Sequence, residues 1–236
     1  MDTNMSTETQ HIEEMFKAGA QYGYSKSRRH PSTAQFVFAT KNGVDIINIE
    51  KTFEQFEKVT ELVEGLAQSG KTILFVGTKA EARQAIVETA LALSMPYVNE
   101  RWVGGALTNF PEIKKRIAKL LELREQKEKG GLDKYTKKER LLIDREMDDM
   151  TKNFQGITAM TKMPDYMFVI DPKKEHIAVT EAHKMKIPVI GILNTDSNIK
   201  QVEHAVVAND ASTSSINFFI SRTKEAYTKG TSGEKK

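Results

Sequence analysis

The sequence predicts an α/β fold: a doubly wound, mostly parallel sheet of the Rossmann or flavodoxin type that carries an inserted antiparallel coiled-coil helical hairpin. Two observations predict the sheet. Short, almost wholly apolar segments suit strands that are buried on both faces, and helix-length amphipathic segments lie between them. A third observation predicts the insertion, because a long charged stretch with a heptad-like apolar seam interrupts this alternation in mid-chain.

A β-hairpin is predicted in the amino-terminal part of the chain, which also holds an N-terminal helix. Residues 36–40 and 44–49 are rich in β-branched and aromatic side chains, and Lys41-Asn42-Gly43 lies between them. Asn-Gly between two such runs is the strongest short-range hairpin signal. Residues 52–69 then carry apolar side chains at helical spacing and are predicted to form an amphipathic helix.

Four apolar segments are predicted as buried parallel strands, and three amphipathic segments as helices that follow strands or end the body. The predicted strands are residues 73–78, 95–98, 166–171 and 187–193. The predicted helices are residues 79–94, 174–186 and 212–227. A repeated strand, helix, strand order is the βαβ unit from which parallel sheets are built.

The middle of the chain is predicted to be a pair of antiparallel helices about 30 Å long. The first helix starts at Pro111, and Gly130-Gly131 ends it. The second starts at Thr136, where Thr136-Lys137-Lys138-Glu139 has the form of a capping box. Its seam, in four-three alternation, is Ile143, Met147, Met150, Phe154 and Ile157.

The predicted division of the chain follows from these elements. Residues 1–109 and 158–227 form the α/β body, residues 110–157 form the insertion, and residues 228–236 form a disordered basic tail. Apolar runs in the chain are too short to span a bilayer, and the first residues resemble neither a signal peptide nor a transit peptide. We therefore expect a soluble, cytoplasmic protein that does not bind a membrane.

Composition and motifs argue against catalysis. The chain contains no cysteine, which excludes disulfides, thiolate zinc sites and cysteine nucleophiles. The turn after residue 76 is where a nucleotide would bind, but it lacks both GxGxxG and GxxxxGK[ST], so Gly77 is interpreted as a tight-turn residue and Thr78 as a helix cap. We expect no catalytic residue, no cofactor, no bound metal and no small-molecule substrate.

Other polar residues are assigned ordinary structural roles. The five histidines form no close metal-binding pattern, and Glu175, His176, Glu181 and His183 are interpreted as solvated helix residues. The acids of residues 194–198 and 209–210 could hold a hard cation, but turn and cap roles are several times more common for Asn, Asp and Ser.

Charge is the remaining functional signal, although the net charge of +3 and the pI of about 8.8 are only weakly basic. One basic run lies near the aromatic residues Tyr22, Tyr24 and Phe36, a second lies on the first insertion helix, and Arg101 adjoins the only tryptophan. Together they could hold RNA phosphates without reading sequence. The predicted RNA-binding residues are Lys26, Arg28, Arg29, His30, Arg101, Lys114, Lys115 and Lys119.

Six ordered segments resemble a known family. Residues 99–110, NERWVGGALTNF, are similar to the NxRWLGGxLTN signature of the second protein of the bacterial small ribosomal subunit. Five further matches follow the same order, within a resemblance that covers about residues 11–227: they are residues 46–52, 73–79, 132–139, 164–171, and 175–178 with 187–189.

The resemblance implies a doubly wound α/β body with a protruding coiled-coil hairpin, and a structural protein rather than an enzyme. It implies binding to 16S ribosomal RNA between the head and the body of the small subunit, with other small-subunit proteins as partners. It also implies a role in recruiting the large mRNA-binding first protein of that subunit. The same fold resembles sugar-phosphate-binding domains, so a sugar-phosphate or nucleotide-binding enzyme is the alternative, and a purely protein-binding adaptor is a third possibility.

The chain departs from the family pattern in three segments. Gln21 and Tyr24 replace the two histidines of the family's GxHFGH motif. The loops around Asp196 (residues 194–198) and Asp210 (residues 208–211) contain fewer acidic residues than the family's loops. Fewer carboxylates therefore remain there to bind a metal ion. A structural root for the insertion is predicted in the signature segment, at Trp102, Gly104, Gly105 and Asn109, with Trp102 packed in the core.

Overall fold

The computed structural model describes residues 2–132 and 134–233, with side chains from residue 9 onward. In that part of the chain the helices are α1 (Asp2–Lys17), α2 (Ile49–Gln68), α3 (Ala80–Ala92), α4 (Phe110–Glu128), α5 (Lys137–Phe154), α6 (His176–Lys184) and α7 (Thr213–Ser232). The strands are β1 (Tyr22–Ser25), β2 (Val37–Lys41), β3 (Val44–Ile47), β4 (Ile73–Val76), β5 (Tyr97–Val98), β6 (Tyr166–Ile170), β7 (Val189–Leu193) and β8 (His204–Val207). Short 3-10 helices span Lys26–Arg28, Pro31–Phe36, Gln155–Ile157 and Ile199–Gln201.

The doubly wound parallel sheet that the sequence predicts is confirmed. Strands β4 to β8 pair in parallel in the order β5-β4-β6-β7-β8. Numbered within the sheet, this order is 2-1-3-4-5, the flavodoxin-like arrangement. All four predicted strands are present, each shortened by one or two residues. The edge strand β8 was missed because it is short and only Val206 and Val207 in it are fully buried.

Helices cover both faces of this sheet. Ile73 and Phe75 of β4 point into one core, which they share with α2, α3 and α7. Leu74 and Val76 point into the other core, with α6 and the segment that precedes α4. Burial on both faces is why these strands are continuously apolar instead of alternating. No helix in the described ranges is long and apolar enough to cross a bilayer.

A second, antiparallel sheet has the order β1-β3-β2. The hairpin predicted at Asn42-Gly43 is confirmed: both residues have positive φ, 51° and 78°, as a type I′ turn requires. Strand β1 was missed, since its sequence YGYS contains no β-branched residue. Helix α2 starts at Ile49, three residues before the predicted start, because the Asn48 side chain accepts a hydrogen bond from the Lys51 backbone and caps it.

The predicted disordered tail is wrong for residues 228–232. Helix α7 continues through Ser232, and Gly233 ends it in the left-handed conformation. Gly230 lies against α2 so closely that a Cβ there would be 2.4 Å from the Glu64 carbonyl oxygen. This helix crossing orders the small polar residues that the sequence interpretation assigned to a tail. Residues 234–236 of the predicted tail lie outside the described ranges.

Two helices occupy the insertion, as predicted, between β5 and β6. The capping box at Thr136 and Glu139 is present at the start of α5. Two ion pairs join the helices, Lys119 to Glu146 at 2.5 Å and Lys127 to Asp144 at 2.7 Å, with the later α4 residue paired to the earlier α5 residue, as in an antiparallel pair.

Burial along the predicted seam is uneven. Met147, Phe154 and Ile157 are buried, whereas Ile143 and Met150 are half-buried. Coiled-coil packing and the domain boundaries at 109–110 and 157–158 therefore stay predictions.

A buried carboxylate on α6 holds the root of the insertion. Glu181 is only 6% exposed, and its Oε1 accepts hydrogen bonds from Trp102 Nε1 at 3.1 Å and the Gly105 backbone at 2.7 Å. Its Oε2 accepts from the backbones of Leu107 and Thr108, at 3.0 and 3.1 Å, and from the Thr108 hydroxyl. Burial alone would raise the pKa of Glu181, but these donors outweigh burial and lower it. The expectation that Glu181 is solvated is wrong.

The rest of the root follows from this arrangement. Gly105 has φ of 89°, a conformation that favours glycine, whereas Gly104 is exposed and its φ is not positive. Asn109 occupies the N-cap position of α4, but its side chain makes no capping hydrogen bond. Trp102 and Phe110 are buried in the core beside α6, so the tryptophan is a packing residue.

Replacing Glu181 by Ala is expected to destabilise the fold by at least about 3 kcal/mol, because each buried donor left without an acceptor costs about 1–3 kcal/mol. The matched control is Glu61→Ala, an exposed glutamate inside α2, which should change stability by less than about 0.5 kcal/mol. Urea unfolding measures both changes. Trp102 is the only tryptophan, so its emission in the native state should shift to the red in the Glu181 variant alone. Equal midpoints and unchanged emission would show that Glu181 does not hold the root.

Candidate nucleic-acid interface

The structure divides the first basic run into outward and inward residues. Lys26 and Arg28 lie in the 3-10 turn that follows β1, and the side chain of Arg28 is 54% exposed. The Arg28 guanidinium lies over the ring of Tyr24, with Cζ 4.1 Å from the ring centroid. Its Nη2 is 3.0 Å from Oδ2 of Asp196. Lys26 and Arg28 therefore present cationic groups to solvent.

Arg29 and His30 point into the protein instead. Arg29 Nε donates to Asp45 Oδ2 at 2.7 Å, and its Nη2 donates to the other Asp45 oxygen and to Thr40 Oγ1. These bonds hold the pKa of the buried Asp45 below its usual range. The His30 ring accepts a hydrogen bond from the Ser32 backbone and caps the second 3-10 helix. Both residues were predicted to bind RNA, but their polar groups are engaged in holding the loop.

The predicted cations of α4 lie at the surface with weak partners. Lys115 pairs with Glu112 one turn away, at 2.7 Å, and Lys119 pairs with Glu146 across the hairpin. Lys114 Nζ donates to the Thr161 carbonyl oxygen at 2.5 Å. Exposed ion pairs of this kind contribute about 0–1 kcal/mol, so a phosphate can replace the carboxylate at little cost.

A cleft of about 760 Å³ lies between the root segment and the insertion helices. Arg101, Arg116 and Lys119 line it, together with the acids Glu146 and Asp149. Arg101 and Arg116 are exposed, and no carboxylate in the described ranges lies within ion-pair distance of either. Arg101 and Lys119 were predicted from the sequence, and the structure brings them together at one cleft.

The crevice between β4 and β6 is where ligands bind in sheets of this order, and here the chain's own side chains fill it. The Thr78 backbone and hydroxyl both donate to Glu175, the first at 3.1 Å. Lys79, not Thr78, occupies the N-cap position of α3, so the predicted cap is wrong. Glu175 is buried, contrary to the expectation that it is solvated. Gly77 has no positive φ, and a Cβ there would meet Ile86 at 2.9 Å.

An ion cluster occupies the same crevice. Lys79 Nζ is 2.6 Å from Asp171 Oδ2 and 3.1 Å from Asp210 Oδ2, the latter without hydrogen-bond geometry. Asn194 Nδ2 donates to the other Asp210 oxygen at 3.2 Å. Burial, followed by the charge of Asp171, raises the pKa of the fully buried Asp210 to about 6. Asp210 is thus an ion-pair partner, where the sequence predicted a turn residue.

Sequence reasoning missed Lys79, Asp171 and Glu175 because they belong to no catalytic motif. One signal was present: Lys79 lies three residues after β4 and Asp171 directly after β6, and the carboxyl ends of parallel strands meet at one edge of the sheet.

Asp210→Asn is expected to be at least as stable as the wild type at pH 7.5, because it removes one of two carboxylates that share a single cation. The folded-state pKa of Asp210 exceeds its ordinary value of 3.8, so this group makes the wild type more stable as the pH falls from about 6 towards 4. The Asp210→Asn variant should lack that gain.

Lys79→Met leaves two buried carboxylates together and should cost about 3–5 kcal/mol. Urea midpoints at pH 4.5 and 7.5 test both, and a larger loss at pH 7.5 for Asp210→Asn than for Lys79→Met would contradict this ion cluster.

Comparison with known proteins identifies the family of the chain. The model of the family "Ribosomal protein S2" matches residues 15–230. The chain is 37% identical over 219 residues to the small ribosomal subunit protein uS2 of Parabacteroides distasonis, a match that covers 93% of this chain and 79% of that protein. The resemblance seen in the sequence is confirmed. The chain belongs to the ribosomal protein S2 family, and it is a structural ribosomal protein and not an enzyme.

Proposed function

We propose that the chain is a structural constituent of the small ribosomal subunit in the cytoplasm, where it binds 16S rRNA between the head and the body. We further propose that it supports docking of the large mRNA-binding first protein of that subunit. The observation that carries the proposal is the family match over residues 15–230, which includes the α/β body and the insertion. The relative from Parabacteroides distasonis is named for the same subunit.

The groups that the protein binds on RNA are proposed to be phosphates. One surface is the turn that carries Lys26 and Arg28, and the other is the cleft lined by Arg101, Arg116 and Lys119. Side chains of this kind fix the position of a protein on RNA without reading its sequence. Lys114 and Lys115 belong to the second surface, because their partners are a carbonyl group and an exposed carboxylate.

Arg29 and His30 are proposed to act indirectly. Their bonds to Asp45 and Ser32 fix the loop that presents Lys26 and Arg28, so replacing them should alter the shape of the loop more than the charge it offers to phosphates.

The enzyme alternative would need a ligand site at the crevice of the sheet. In a flavodoxin-like sheet the ligand enters the crevice at the carboxyl ends of the first and third strands. Five side chains fill that crevice and are joined to one another by hydrogen bonds and ion pairs: Thr78, Lys79, Asp171, Glu175 and Asp210. A ligand would have to separate these pairs. Membership of a structural family decides the question, and the filled crevice supplies the physical reason. Nucleotides and sugar phosphates are therefore expected to leave the melting temperature unchanged.

The triple variant Arg101→Ala, Arg116→Ala, Lys119→Ala is expected to bind small subunits washed free of this protein more weakly. A plot of the logarithm of the binding constant against the logarithm of KCl concentration should become less steep, by roughly 0.7–0.9 for each phosphate that the variant no longer neutralises. The control is Lys184→Ala with Lys186→Ala, exposed lysines at the end of α6 and two residues beyond it, which lie outside both surfaces. Equal slopes for the triple variant and the wild type would remove the cleft from the interface.

The assembly itself is tested by sedimentation. Tagged protein in a cell extract should migrate with small subunits in a sucrose gradient and be released by nuclease or by high salt. Protein partners that stay bound after both treatments, with no association with the subunit, would instead favour the adaptor alternative.

A further inference from the structure

Two cations from distant parts of the chain meet on one carboxylate oxygen. Asp196 lies in the turn after β7, and its side chain is only 4% exposed. Its Oδ2 is 3.0 Å from Arg28 Nη2 and 2.8 Å from Lys173 Nζ. Both cationic side chains are about half exposed, 54% for Arg28 and 52% for Lys173. Their charged ends are therefore neighbours at the surface, with the carboxylate beneath them.

Arg28, Lys173 and Asp196 together carry a net charge of +1. Two cations share a single anion, and no other carboxylate in the described ranges lies within ion-pair distance of Arg28 or Lys173. The excess charge is open to solvent because the two cations, and not the buried carboxylate, are exposed. A site with this net charge attracts an anion and can neutralise one that carries a single charge.

The Arg28 guanidinium is held in place before any ligand arrives, and the backbone of Lys173 is anchored by strand β6. The ring of Tyr24 lies 4.1 Å below the Arg28 guanidinium and fixes its plane. The loop around Arg28 is bonded to the end of β7 through Thr195, whose hydroxyl accepts from the Tyr24 backbone at 3.0 Å and whose carbonyl oxygen accepts from the Thr33 hydroxyl at 2.6 Å. Lys173 follows the buried strand β6 by three residues. Preorganised groups lose little conformational entropy on binding.

We propose that Arg28 and Lys173, positioned by Asp196, form a phosphate clamp that binds one phosphodiester group of RNA. The clamp rests on the proposed function and deepens it, because it adds Lys173 and Asp196 to the first surface. A phosphodiester carries one negative charge, equal to the excess of the group. The guanidinium can donate to two phosphate oxygens at once, and the ammonium binds the group as a point charge.

Asp196 is a positioning residue in this site. Two cations at this separation repel each other, and the buried carboxylate is what keeps both directed to one point. It does not contact the phosphate, because it lies beneath the cations and is almost completely buried.

The test uses small subunits washed free of this protein, rebound with the wild type or with single variants. Lys173→Ala should weaken binding about 5- to 10-fold at 100 mM KCl and lower the salt slope by roughly 0.7–0.9. Lys173→Arg should retain most of the affinity. The matched control is Lys174→Ala: the neighbouring lysine is also exposed and loses the same charge, but it makes no ion pair with Asp196. Its effect should be under about twofold, because only general electrostatic attraction is removed.

A double-variant comparison tests whether the two cations share one phosphate. Replacing both Arg28 and Lys173 by Ala should weaken binding by less than the product of the two single effects, since removing either cation already breaks the clamp. Independent phosphate sites would multiply instead and would overturn the clamp. Because the double variant leaves the buried Asp196 carboxylate without its two ion-pair partners, its urea midpoint should fall, so binding is compared only under conditions in which every variant stays folded.

Hydroxyl-radical footprinting identifies the occupant. The wild type and Lys174→Ala should protect a short stretch of 16S rRNA backbone that Lys173→Ala exposes. If Lys173→Ala weakens binding but leaves every RNA protection intact, the occupant is an acidic protein segment and the RNA clamp is wrong. Equal affinities for Lys173→Ala and Lys174→Ala, with the wild type still bound, overturn the clamp alone. Failure of the wild type to bind the washed subunits overturns the proposed function as well.

Discussion

Glu181 places a carboxylate inside the packing face of α6, and the root of the insertion is built around it. A carboxylate buried to this degree must accept hydrogen bonds or meet a cation, since desolvation otherwise favours its neutral form. The segment from Trp102 to Thr108 supplies five donors, three of them backbone groups. A loop that satisfies this requirement can adopt few other conformations. The direction in which the chain leaves the sheet therefore depends on one side chain that is far away in sequence.

The same requirement shapes the rest of the surface. Asp45 binds Arg29 and thereby fixes the basic loop. Asp196 pairs with Arg28 and Lys173, and in the crevice Asp171 and Asp210 pair with Lys79. Arg29 and Lys79 are thereby neutralised inside the protein, whereas Arg28 and Lys173 stay at its surface with a net positive charge. The crevice that serves ligand binding in related sheets becomes a structural ion cluster. A fold associated with small-molecule chemistry can thus serve as a scaffold that presents cations to a polyanion.

This division explains why net charge is a poor guide to the interface. A charge of +3 on 236 residues is small, yet exposed cations gather over the buried Asp196 and beside the exposed acids of the cleft. Ion pairs on α4 stay exchangeable because water screens them, whereas the Lys79 cluster is shielded and stays closed. Burial, more than the number of charges, separates the groups that can bind RNA from those that stabilise the body.

Local sequence determined the parallel sheet, the Asn42-Gly43 hairpin and the Thr136 capping box, because periodicity, turn chemistry and capping act over a few residues. The ordered motifs determined the family. Only the tertiary structure decided that Arg29 faces inward, that Lys173 joins Arg28, and that Gly230 extends α7 against α2. Each of these depends on a partner far away in sequence, and the cost of burying a charge or of closing a helix contact is known only once that partner is in place.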